Sequence, residues 1–394
     1  MRTQVAIIGA GPAGLLLSHL LHLQGVESVV LERRDEAYVR ARVRAGVLEN
    51  GTSQMLREVG LGERMDRDGM PHDGTELRFG GRGHRIDFVD LTAGGIVVYG
   101  QQEVVKDLID RRRADDGDVR FEVADVCVRD SDTARPWLTF VEADEQVRLD
   151  CDIVIAADGS HSEHRALIPD AMQYGRDYPF AWLGIIARAP PSSPELIYAR
   201  GAEGFALHSM RSPTITRMYL QVAPEESIAD WSDDRIWEQL HARLADDRGF
   251  ELTEGPLLDK SITPMRSAVL TPMQHGRLYL AGDAAHVVPP TGAKGMNLAL
   301  ADVRVLSRAL GAFFADARTE LLDAYTETVL RRVWRATYFS WWMTSMLHVD
   351  PDDDAFGDRL ALAQLENVVC SRALSTALAE NYIGLPYDAG WSYR

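Results

Sequence analysis

The chain has 394 residues, a formal net charge of −17 and three cysteines. This length predicts two or three structural units, and so acidic a chain disfavours nucleic acid or an anionic membrane surface as a partner. Three widely spaced cysteines indicate neither a disulfide framework nor a metal site, which favours the reducing cytoplasm. We find no signal peptide and no apolar run of about 18 residues, and therefore expect no membrane span.

The first 34 residues predict a βαβ unit. The segments "QVAIIGAG" and "VESVVLERR" have the pattern of buried strands, and "PAGLLLSHLLHLQG" between them has that of a helix. The turn "GAGPAG" carries Gly9, Gly11 and Gly14, and Glu32 ends the second strand. Glycines let the backbone approach a pyrophosphate at a helix N-terminus, and an acid at this distance accepts hydrogen bonds from a ribose. The unit therefore predicts a dinucleotide site.

Further along the chain, elements of the same fold alternate with antiparallel strands. Alternating patterns over 74–90 and 180–222 predict antiparallel strands. A helix follows Ser232, which is a plausible N-cap. Two more strands each end in a Gly and Asp turn, at Asp158 and at Asp283, and the second leads through "HVVPPTGAKGMN" into a long helix. Residues from about 320 to 380 have helical patterning, so an antiparallel sheet is interleaved with the dinucleotide fold.

The glycine turn at Gly9 to Gly14 and the later turns at Asp158 and Asp283, in this order, resemble motifs of the single-component flavoprotein aromatic hydroxylases. The similarity extends from residue 2 to about 388 and is strongest to the members that act on 4-hydroxybenzoate. It is carried by the segments RVRAGVLE (42–49), YGQQEV (99–104), ELIYA (195–199), MQHGRLYLAGDAAHVVPPTGAKGMNLA (273–299), FSWWMTSMLH (339–348) and ENYIGLPY (380–387).

The resemblance implies an α/β fold in three parts. These are a Rossmann-like FAD-binding domain of glutathione-reductase type (1–72, 97–178 and 265–345), an interleaved antiparallel-sheet substrate domain (73–96 and 179–264), and a helical C-terminal region (346–394) through which family members form homodimers. It also implies tightly bound FAD, contacted by Gly9, Gly11, Gly14, Glu32, Arg33, Arg42, Arg44, Gln102, Asp158, Asp283, Lys294, Gly295, Met296 and Asn297. Lys294 would add positive potential near the flavin.

The implied reaction uses NAD(P)H and O2 to convert 4-hydroxybenzoate into 3,4-dihydroxybenzoate through the phenolate. The substrate carboxylate would be bound by Ser209, Arg211 and Tyr219, because a buried carboxylate suits a bidentate arginine. The phenol proton would leave through a relay of Tyr198, Tyr382 and His72, with His72 near solvent, and the carbonyl of Pro290 would face the phenol. The lone "HSEH" at 161–164 has no second ligand cluster, and we expect no metal.

The nicotinamide nucleotide would contact Arg33, Arg34, Tyr38, Arg44, His161, Arg165 and Arg266, and Arg217 matches a basic position near the moving flavin. Adjacent arginines favour the 2′-phosphate of NADPH, whereas Asp35 and Glu36 would repel it, so both NADPH and NADH remain open. The sequence is also compatible with a hydroxylase of another para-substituted benzoate such as 4-aminobenzoate, with an FAD-dependent reductase or dehydrogenase, and with an FAD-containing protein without turnover.

Overall fold

A computed structural model describes residues 1–43 and 46–386, so that Arg44 lies outside the described residues. The strands are β1 (Val5–Ile8), β2 (Ser28–Leu31), β3 (Val47–Leu48), β4 (Met70–His72), β5 (Gly74–Phe79), β6 (Arg82–Asp87), β7 (Ile96–Val98), β8 (Asp118–Arg120), β9 (Ala124–Arg129), β10 (Trp137–Glu142), β11 (Glu145–Asp150), β12 (Ile153–Ala156), β13 (Met172–Ala187), β14 (Leu196–Gly201), β15 (Gly204–Ser212), β16 (Ile215–Val222), β17 (Leu257–Thr271), β18 (Gln274–His275), β19 (Leu278–Leu280) and β20 (His286–Val287).

The helices are α1 (Pro12–His22), α2 (Glu36–Ala41), α3 (Asn50–Glu58), α4 (Glu63–Asp68), α5 (Phe88–Thr92), α6 (Gln101–Ala114), α7 (Asp233–Leu244), α8 (Gly295–Asp316), α9 (Glu320–Asp323), α10 (Tyr325–Leu347), α11 (Ala355–Cys370) and α12 (Arg372–Ile383). Ser232 caps α7 by accepting a hydrogen bond from the backbone N–H of Arg235, as predicted. Within the described ranges, no helix is both long and apolar enough to cross a membrane.

A six-stranded sheet in the order β18-β19-β12-β1-β2-β8 forms the centre of the dinucleotide fold. β1 runs parallel to both β12 and β2, and every residue of β1 and of β12 is buried. Strands this apolar on both faces must be covered on both sides, and the buried cluster around them includes Leu15 of α1 and Leu138 of β10. The carboxyl ends of β1 and β2 therefore carry the glycine turn and Glu32 to one edge of the sheet, as the motif predicts.

The second large sheet has eight strands in the order β20-β17-β13-β16-β15-β14-β5-β6. Its pairs are antiparallel apart from β14 and β5, which are parallel. β13 and β17 are 16 and 15 residues long and pair along most of their length. The predicted domain limits at residues 178–179 and 264–265 fall inside these two strands, so the two units share continuous backbone.

Helices α10, α11 and α12 complete the C-terminal region and pack against the second sheet. A buried cluster joins Leu77 and Tyr198 of the sheet to Phe339 of α10, Leu365 of α11 and Tyr382 of α12. The sequence predicts helices here, and the fold agrees with the predicted α/β architecture that is followed by a helical region. Because α12 packs at the edge of the sheet, it brings the end of the described chain beside β14.

Candidate active site

The glycine turn after β1 is built so that a ligand can approach its backbone. Gly9 has φ +106°, and a Cβ there would lie 2.5 Å from the carbonyl oxygen of Ala157. A Cβ on Gly14 would lie 2.0 Å from the carbonyl oxygen of Gly9, so only glycine allows α1 to pack this close. Around Gly11, by contrast, no described atom other than those of its chain neighbours lies within 4 Å of the Cβ position. The turn thus leaves the helix N-terminus open toward an anion such as a pyrophosphate.

Glu32 lies at the end of β2 and fixes the backbone around this turn. Its carboxylate accepts hydrogen bonds from the backbone N–H groups of Ala10 and Arg34, each at 2.9 Å. Carboxylate oxygens accept more than one hydrogen bond each, so the group can also bind ribose hydroxyls. The observed geometry fits the adenosine half of FAD.

The Asp283 turn faces the same edge of the first sheet. Asp283 is exposed, and the backbone carbonyls of Asp283 and Ala284 each accept a 2.6 Å hydrogen bond from Arg165. Asp302 accepts from the backbone N–H of Gly282 at 2.8 Å and lies 2.7 Å from the ring of His286. The sequence assigns Arg165 to the nicotinamide nucleotide, but the structure uses two of its donor nitrogens to fix the Asp283 turn.

The start of α8 presents a second open helix N-terminus. Apart from adjoining backbone, no atom of residues 1–43 and 46–386 lies within 4 Å of the Cβ position of Gly295. The amide of Asn297 donates to the carbonyls of Val47 and Ala293, and its oxygen accepts from the backbone N–H of Glu49. Asn297 therefore ties α8 to β3. The free N–H groups and the helix dipole at Gly295 suit a negatively charged flavin edge.

Lys294, directly before α8, is buried as an ion pair. Its ammonium lies 2.7 Å from Glu49, whose other carboxylate oxygen accepts from Arg332 at 2.9 Å. Burial lowers the pKa of Lys294 while Glu49 opposes that change, and the two cations hold the pKa of Glu49 below its usual value despite burial. The sequence predicts that Lys294 adds positive potential near the flavin. The structure shows its charge balanced by Glu49, which lies 245 residues away in the chain.

Five residues expected to contact the substrate line one narrow cavity between the second sheet and the loop before α8. They are Tyr198, Ser209, Arg211, Tyr219 and Pro290, and Arg217, Trp182 and Gly46 line it as well. A Cβ on Gly46 would lie 2.8 Å from the guanidinium of Arg211, so this glycine makes room for the arginine. The carbonyl of Pro290 accepts from the backbone N–H of Ala293 at 2.9 Å and retains a second lone pair.

The cavity holds two buried guanidinium groups. Nε and one Nη nitrogen of both Arg211 and Arg217 are buried, and none of these four atoms has a hydrogen-bond partner in the part of the chain that the structure describes. Burial, with a smaller effect from Arg217, lowers the pKa of Arg211 to about 10, so it remains charged at neutral pH. Buried charges need partners, and a carboxylate satisfies a guanidinium through two parallel hydrogen bonds. The cavity is therefore suited to an anionic ligand.

Tyr198 and Tyr382 form a hydrogen-bonded pair at one side of this cavity. Their hydroxyl oxygens are 2.6 Å apart, and both side chains are buried. Tyr382 stacks on Phe88 and lies edge-on to Phe339. Burial is the main reason that the pKa of each tyrosine is above its ordinary value, so both stay protonated and can donate.

The resemblance places His72 near solvent, whereas the structure shows its side chain buried. It is 2% exposed, and neither ring nitrogen has a hydrogen-bond partner among the residues described. Burial lowers its pKa to about 4, so the ring is neutral at physiological pH. It lines a second cavity together with Pro71 and Met210, and Met210 also lines the substrate cavity. His72 makes no direct hydrogen bond to Tyr382, and a proton would need water to pass between them.

The remaining FAD and nucleotide candidates lie around the first sheet. Arg33, Arg34, Tyr38 and Arg42 are exposed. The oxygen Oδ1 of Asp158 and Oε1 of Gln102 are buried without a partner in the described chain, which fits groups that contact a ligand. His161 contacts the hydroxyl of Ser160, and Arg266 donates to the Ser160 carbonyl at 3.3 Å. Met296 is partly buried against the main core.

Asp35 and Glu36, the two acids that follow Arg33 and Arg34, both make contacts at the start of α2. Asp35 is the N-cap and accepts from the backbone N–H of Tyr38 at 2.7 Å. Glu36 is paired with Arg40 at 2.6 Å and with Arg113. The charge of Glu36 is thus balanced, whereas Asp35 remains an exposed negative group beside the arginines.

Three comparisons relate the chain to known proteins. A family model described as an FAD binding domain matches residues 2–340. The chain is 44% identical over 391 residues to p-hydroxybenzoate hydroxylase of Acinetobacter baylyi, covering 98% of this chain and 96% of that protein. It is 27% identical to 3-(3-hydroxy-phenyl)propionate/3-hydroxycinnamic acid hydroxylase of Paraburkholderia xenovorans, over 82% of this chain and 52% of the relative.

Among solved structures, p-nitrophenol 4-monooxygenase PnpA of Pseudomonas putida DLL-E4 superposes with a TM-score of 0.84 at 18% identity, covering 98% of this chain and all of that one. At this identity the match concerns the fold. The family match extends over most of the chain, and the relative at 44% identity extends over nearly all of it. The chain therefore belongs to the FAD-dependent aromatic hydroxylases, a family of flavoprotein monooxygenases, and to the group within it that includes p-hydroxybenzoate hydroxylase.

Proposed function

We propose that the enzyme hydroxylates 4-hydroxybenzoate at C3 to give 3,4-dihydroxybenzoate, with NAD(P)H and O2 as co-substrates. The observation that carries this proposal is the arrangement of one cavity. Arg211, which has two buried nitrogens without a hydrogen-bond partner among the described residues, lines the same space that the Tyr198–Tyr382 pair lines or adjoins. A small aromatic ring with a carboxylate at one end and a hydroxyl at the other satisfies both features.

The residues around the first sheet fit FAD. The open helix N-termini at Gly11 and Gly295 would face its pyrophosphate and its flavin edge, and Glu32 and Asp283 would bind its ribose and ribityl hydroxyls. Bound FAD supplies the redox chemistry with NAD(P)H and O2. The protein's own contribution is to bind and orient the substrate, to remove its proton and to exclude water.

Arg211 would hold the substrate carboxylate bidentately, with Ser209 and Tyr219 beside it. At the other end, the hydroxyl oxygen of Tyr198 would accept the phenol proton while its own proton moves to Tyr382, and the Tyr198 hydroxyl would then donate to the phenolate oxygen. Tyr198 can act in this way because burial keeps it protonated. Tyr382 would pass the proton on, and neutral His72 would accept it through water. Loss of the proton raises electron density on the neighbouring ring carbon, which is the position that is hydroxylated.

The same carboxylate site would accept 4-aminobenzoate, which the sequence leaves open as a substrate. An aniline nitrogen has no proton as acidic as that of a phenol, so the tyrosine pair would have no proton to remove. The buried pair therefore favours the phenol.

The direct test is oxygen uptake by the purified yellow holoenzyme with 4-hydroxybenzoate, using NADPH and NADH in parallel, together with product identification. We expect stoichiometric 3,4-dihydroxybenzoate. Oxygen uptake that gives only hydrogen peroxide, or preferential turnover of 4-aminobenzoate, would refute the assignment. Because the co-substrate is an intracellular nucleotide, we also place the enzyme in the cytoplasm.

We propose in addition that the enzyme is a homodimer, formed through one face of α10. Trp334, Tyr338 and Trp341 lie three or four residues apart and are 42%, 60% and 37% exposed. Tyr174 of β13 extends this face by an edge contact with Trp334. Large aromatic side chains exposed together are typical of interfaces. Tyr338→Lys should halve the mass measured by light scattering, whereas an unchanged mass would exclude this face.

A further inference from the structure

An aromatic side chain in the wall of the substrate cavity is hydrogen-bonded to a residue that lies outside the cavity. Trp182 lines the cavity from β13, and its indole N–H donates a 2.7 Å hydrogen bond to Nε2 of His348, the residue that follows α10. Both residues are 2% exposed. The His348 ring also stacks between Phe180 and Phe205, with ring centroids 4.5 Å from each. The imidazole therefore has one orientation.

The hydrogen bonds also define the tautomer of His348. An indole nitrogen only donates, so Nε2 of His348 must accept and carries no proton. The other nitrogen, Nδ1, is then the N–H and donates to the backbone carbonyl of Thr344 at 3.0 Å. Burial lowers the pKa of His348 to about 3, which keeps this neutral tautomer across the physiological pH range.

The same turn of α10 also contacts the opposite wall of the cavity. The hydroxyl of Thr344 lies 2.9 Å from that of Thr291, which is next to the cavity-lining Pro290. One residue further, a Cβ on Gly292 would lie 2.6 Å from the hydroxyl of Ser340, so the loop and the helix are in close contact. The end of α10 thus bridges the sheet wall and the loop wall of the substrate cavity.

We propose that His348 is a positioning residue that determines how well the substrate fits its cavity. It fixes the position of Trp182 in the cavity wall and, through α10, the distance between Trp182 and the loop that carries Pro290. This inference rests on the proposed function for the identity of the ligand. The width between these two walls sets how firmly a planar ring is held between Arg211 and Tyr198. A ring that is held loosely misplaces the carbon to be hydroxylated, and reducing equivalents are then lost as hydrogen peroxide.

The test compares His348→Leu and His348→Gln holoenzymes with the wild type. Leucine removes both hydrogen bonds, whereas the glutamine amide offers an acceptor and a donor. For His348→Leu we expect the Kd for 4-hydroxybenzoate to rise at least tenfold and the product formed per NAD(P)H consumed to fall at least twofold. For His348→Gln we expect a Kd within threefold of the wild-type value. We also expect it to recover most of the coupling, meaning the product formed per NAD(P)H consumed.

His19→Leu is the matched control. His19 is buried in α1, where Nε2 contacts the carbonyl of Val59 and Nδ1 lies 3.8 Å from the Asp115 carboxylate. These contacts lie outside the substrate cavity, so its loss should change neither quantity more than twofold. In the Trp182→Phe background, His348→Leu should add little, because the indole donor is already absent. If His348→Leu does not fold, Thr344→Val, which removes the contact with Thr291, should show the same loss of coupling in smaller measure.

The proposal is overturned if folded His348→Leu, or Thr344→Val in its place, keeps both values within twofold of the wild type. It is also overturned if His19→Leu shows an equal loss, or if the effects of Trp182→Phe and His348→Leu simply add. The Kd is measured without turnover and with any benzoate that the wild type binds. The role of His348 can therefore fail or hold independently of the reaction assigned to the enzyme.

Discussion

The hydroxyl oxygens of Tyr198 and Tyr382 lie 2.6 Å apart, although 184 residues separate them in the chain. Tyr198 belongs to β14 in the middle of the second sheet, and Tyr382 belongs to α12 near the end of the described chain. The pair forms because α12 packs against that sheet and places Tyr382 in the same buried cluster as Tyr198. In the proposed relay, proton removal from the substrate therefore depends on correct docking of the C-terminal region.

Tyr198→Phe should leave substrate binding nearly unchanged and slow hydroxylation about 100-fold, the usual scale for loss of a proton-transfer group. The carboxylate contacts with Arg211 remain, whereas the phenol loses its proton path. Tyr382→Phe should slow proton removal to a similar extent without touching the substrate. The measurements are Kd by spectral titration and product formation in a single turnover. Full hydroxylation by Tyr198→Phe would contradict the relay.

Arg211→Ala should raise the Kd for 4-hydroxybenzoate roughly 100-fold, because a buried carboxylate loses its charged partner. Arg211→Lys should recover only part of this loss, since an ammonium cannot form the bidentate pair. Arg82→Ala, at an exposed arginine of β6, is the matched control and should have no effect. A Kd for Arg211→Ala within threefold of the wild type would remove the carboxylate assignment.

The rate of proton release should show no inflection near pH 6.5 that arises from His72. Its pKa in the folded enzyme is about 4, so the ring stays neutral from pH 5.5 to 8. His72→Asn should therefore slow proton release by the same factor at pH 6 and at pH 8. Stopped-flow measurement of phenolate formation tests this. An inflection near neutrality that disappears in His72→Asn would show instead that His72 titrates in this range.

Asp35→Ser should raise kcat/KM for NADPH relative to NADH about threefold. Serine retains the N-cap of α2, so the change removes an exposed negative charge beside Arg33 and Arg34 without removing the cap. The 2′-phosphate gains from this loss of repulsion, which solvent and salt reduce to a modest effect. Asp132→Ser, at an exposed loop position, is the control. An unchanged NADPH-to-NADH ratio would show that the nucleotide does not bind near α2.

The holoenzyme should lose stability as the pH falls from 6.5 toward 4. Buried His72, His208 and His348 have pKa values of about 4, 4 and 3 in the folded state, against 6.5 when unfolded. In this window the unfolded chain binds protons that the folded chain does not, at a cost of roughly 1.4 kcal/mol per pH unit for each histidine. Urea unfolding at pH 7 and pH 5.5 measures this dependence.

His208→Gln keeps an acceptor for the backbone N–H of Ser192, which His208 now binds at 3.1 Å. It should reduce the pH dependence of the free energy of unfolding, since the proton that the unfolded chain binds at His208 no longer contributes. A pH dependence equal to that of the wild type would mean that His208 does not titrate as its burial indicates.

Local patterns were sufficient to predict the dinucleotide unit and the start of α8. The glycines of the turn and the buried strands around them are neighbours in the sequence, and their steric requirements are local. The N-cap at Ser232 followed from a single residue type before a helical pattern. The site residues, by contrast, rested on resemblance, because no local rule brings Arg211 and Tyr382 to one cavity.

The features that the sequence did not predict are pairings across long separations. Trp182 and His348 are 166 residues apart, and alternation along β13 cannot tell which helix will cover a given face. Lys294 was expected to contribute positive charge because its partner Glu49 could not be recognised from the sequence. The burial of His72 was missed for a related reason, since a histidine between Pro71 and Asp73 has the pattern of an exposed loop.

The length of β13 and β17 limits how the enzyme can be recombined. Each strand pairs with the other beside the cofactor region and continues into the sheet that lines the substrate cavity. A hybrid cut at the predicted limits near residues 178 and 264 would join half-strands from two parents in the same ladder. Exchange of the substrate domain between relatives should therefore transfer both strands whole. One crossover should be placed before Met172 and the other after Thr271.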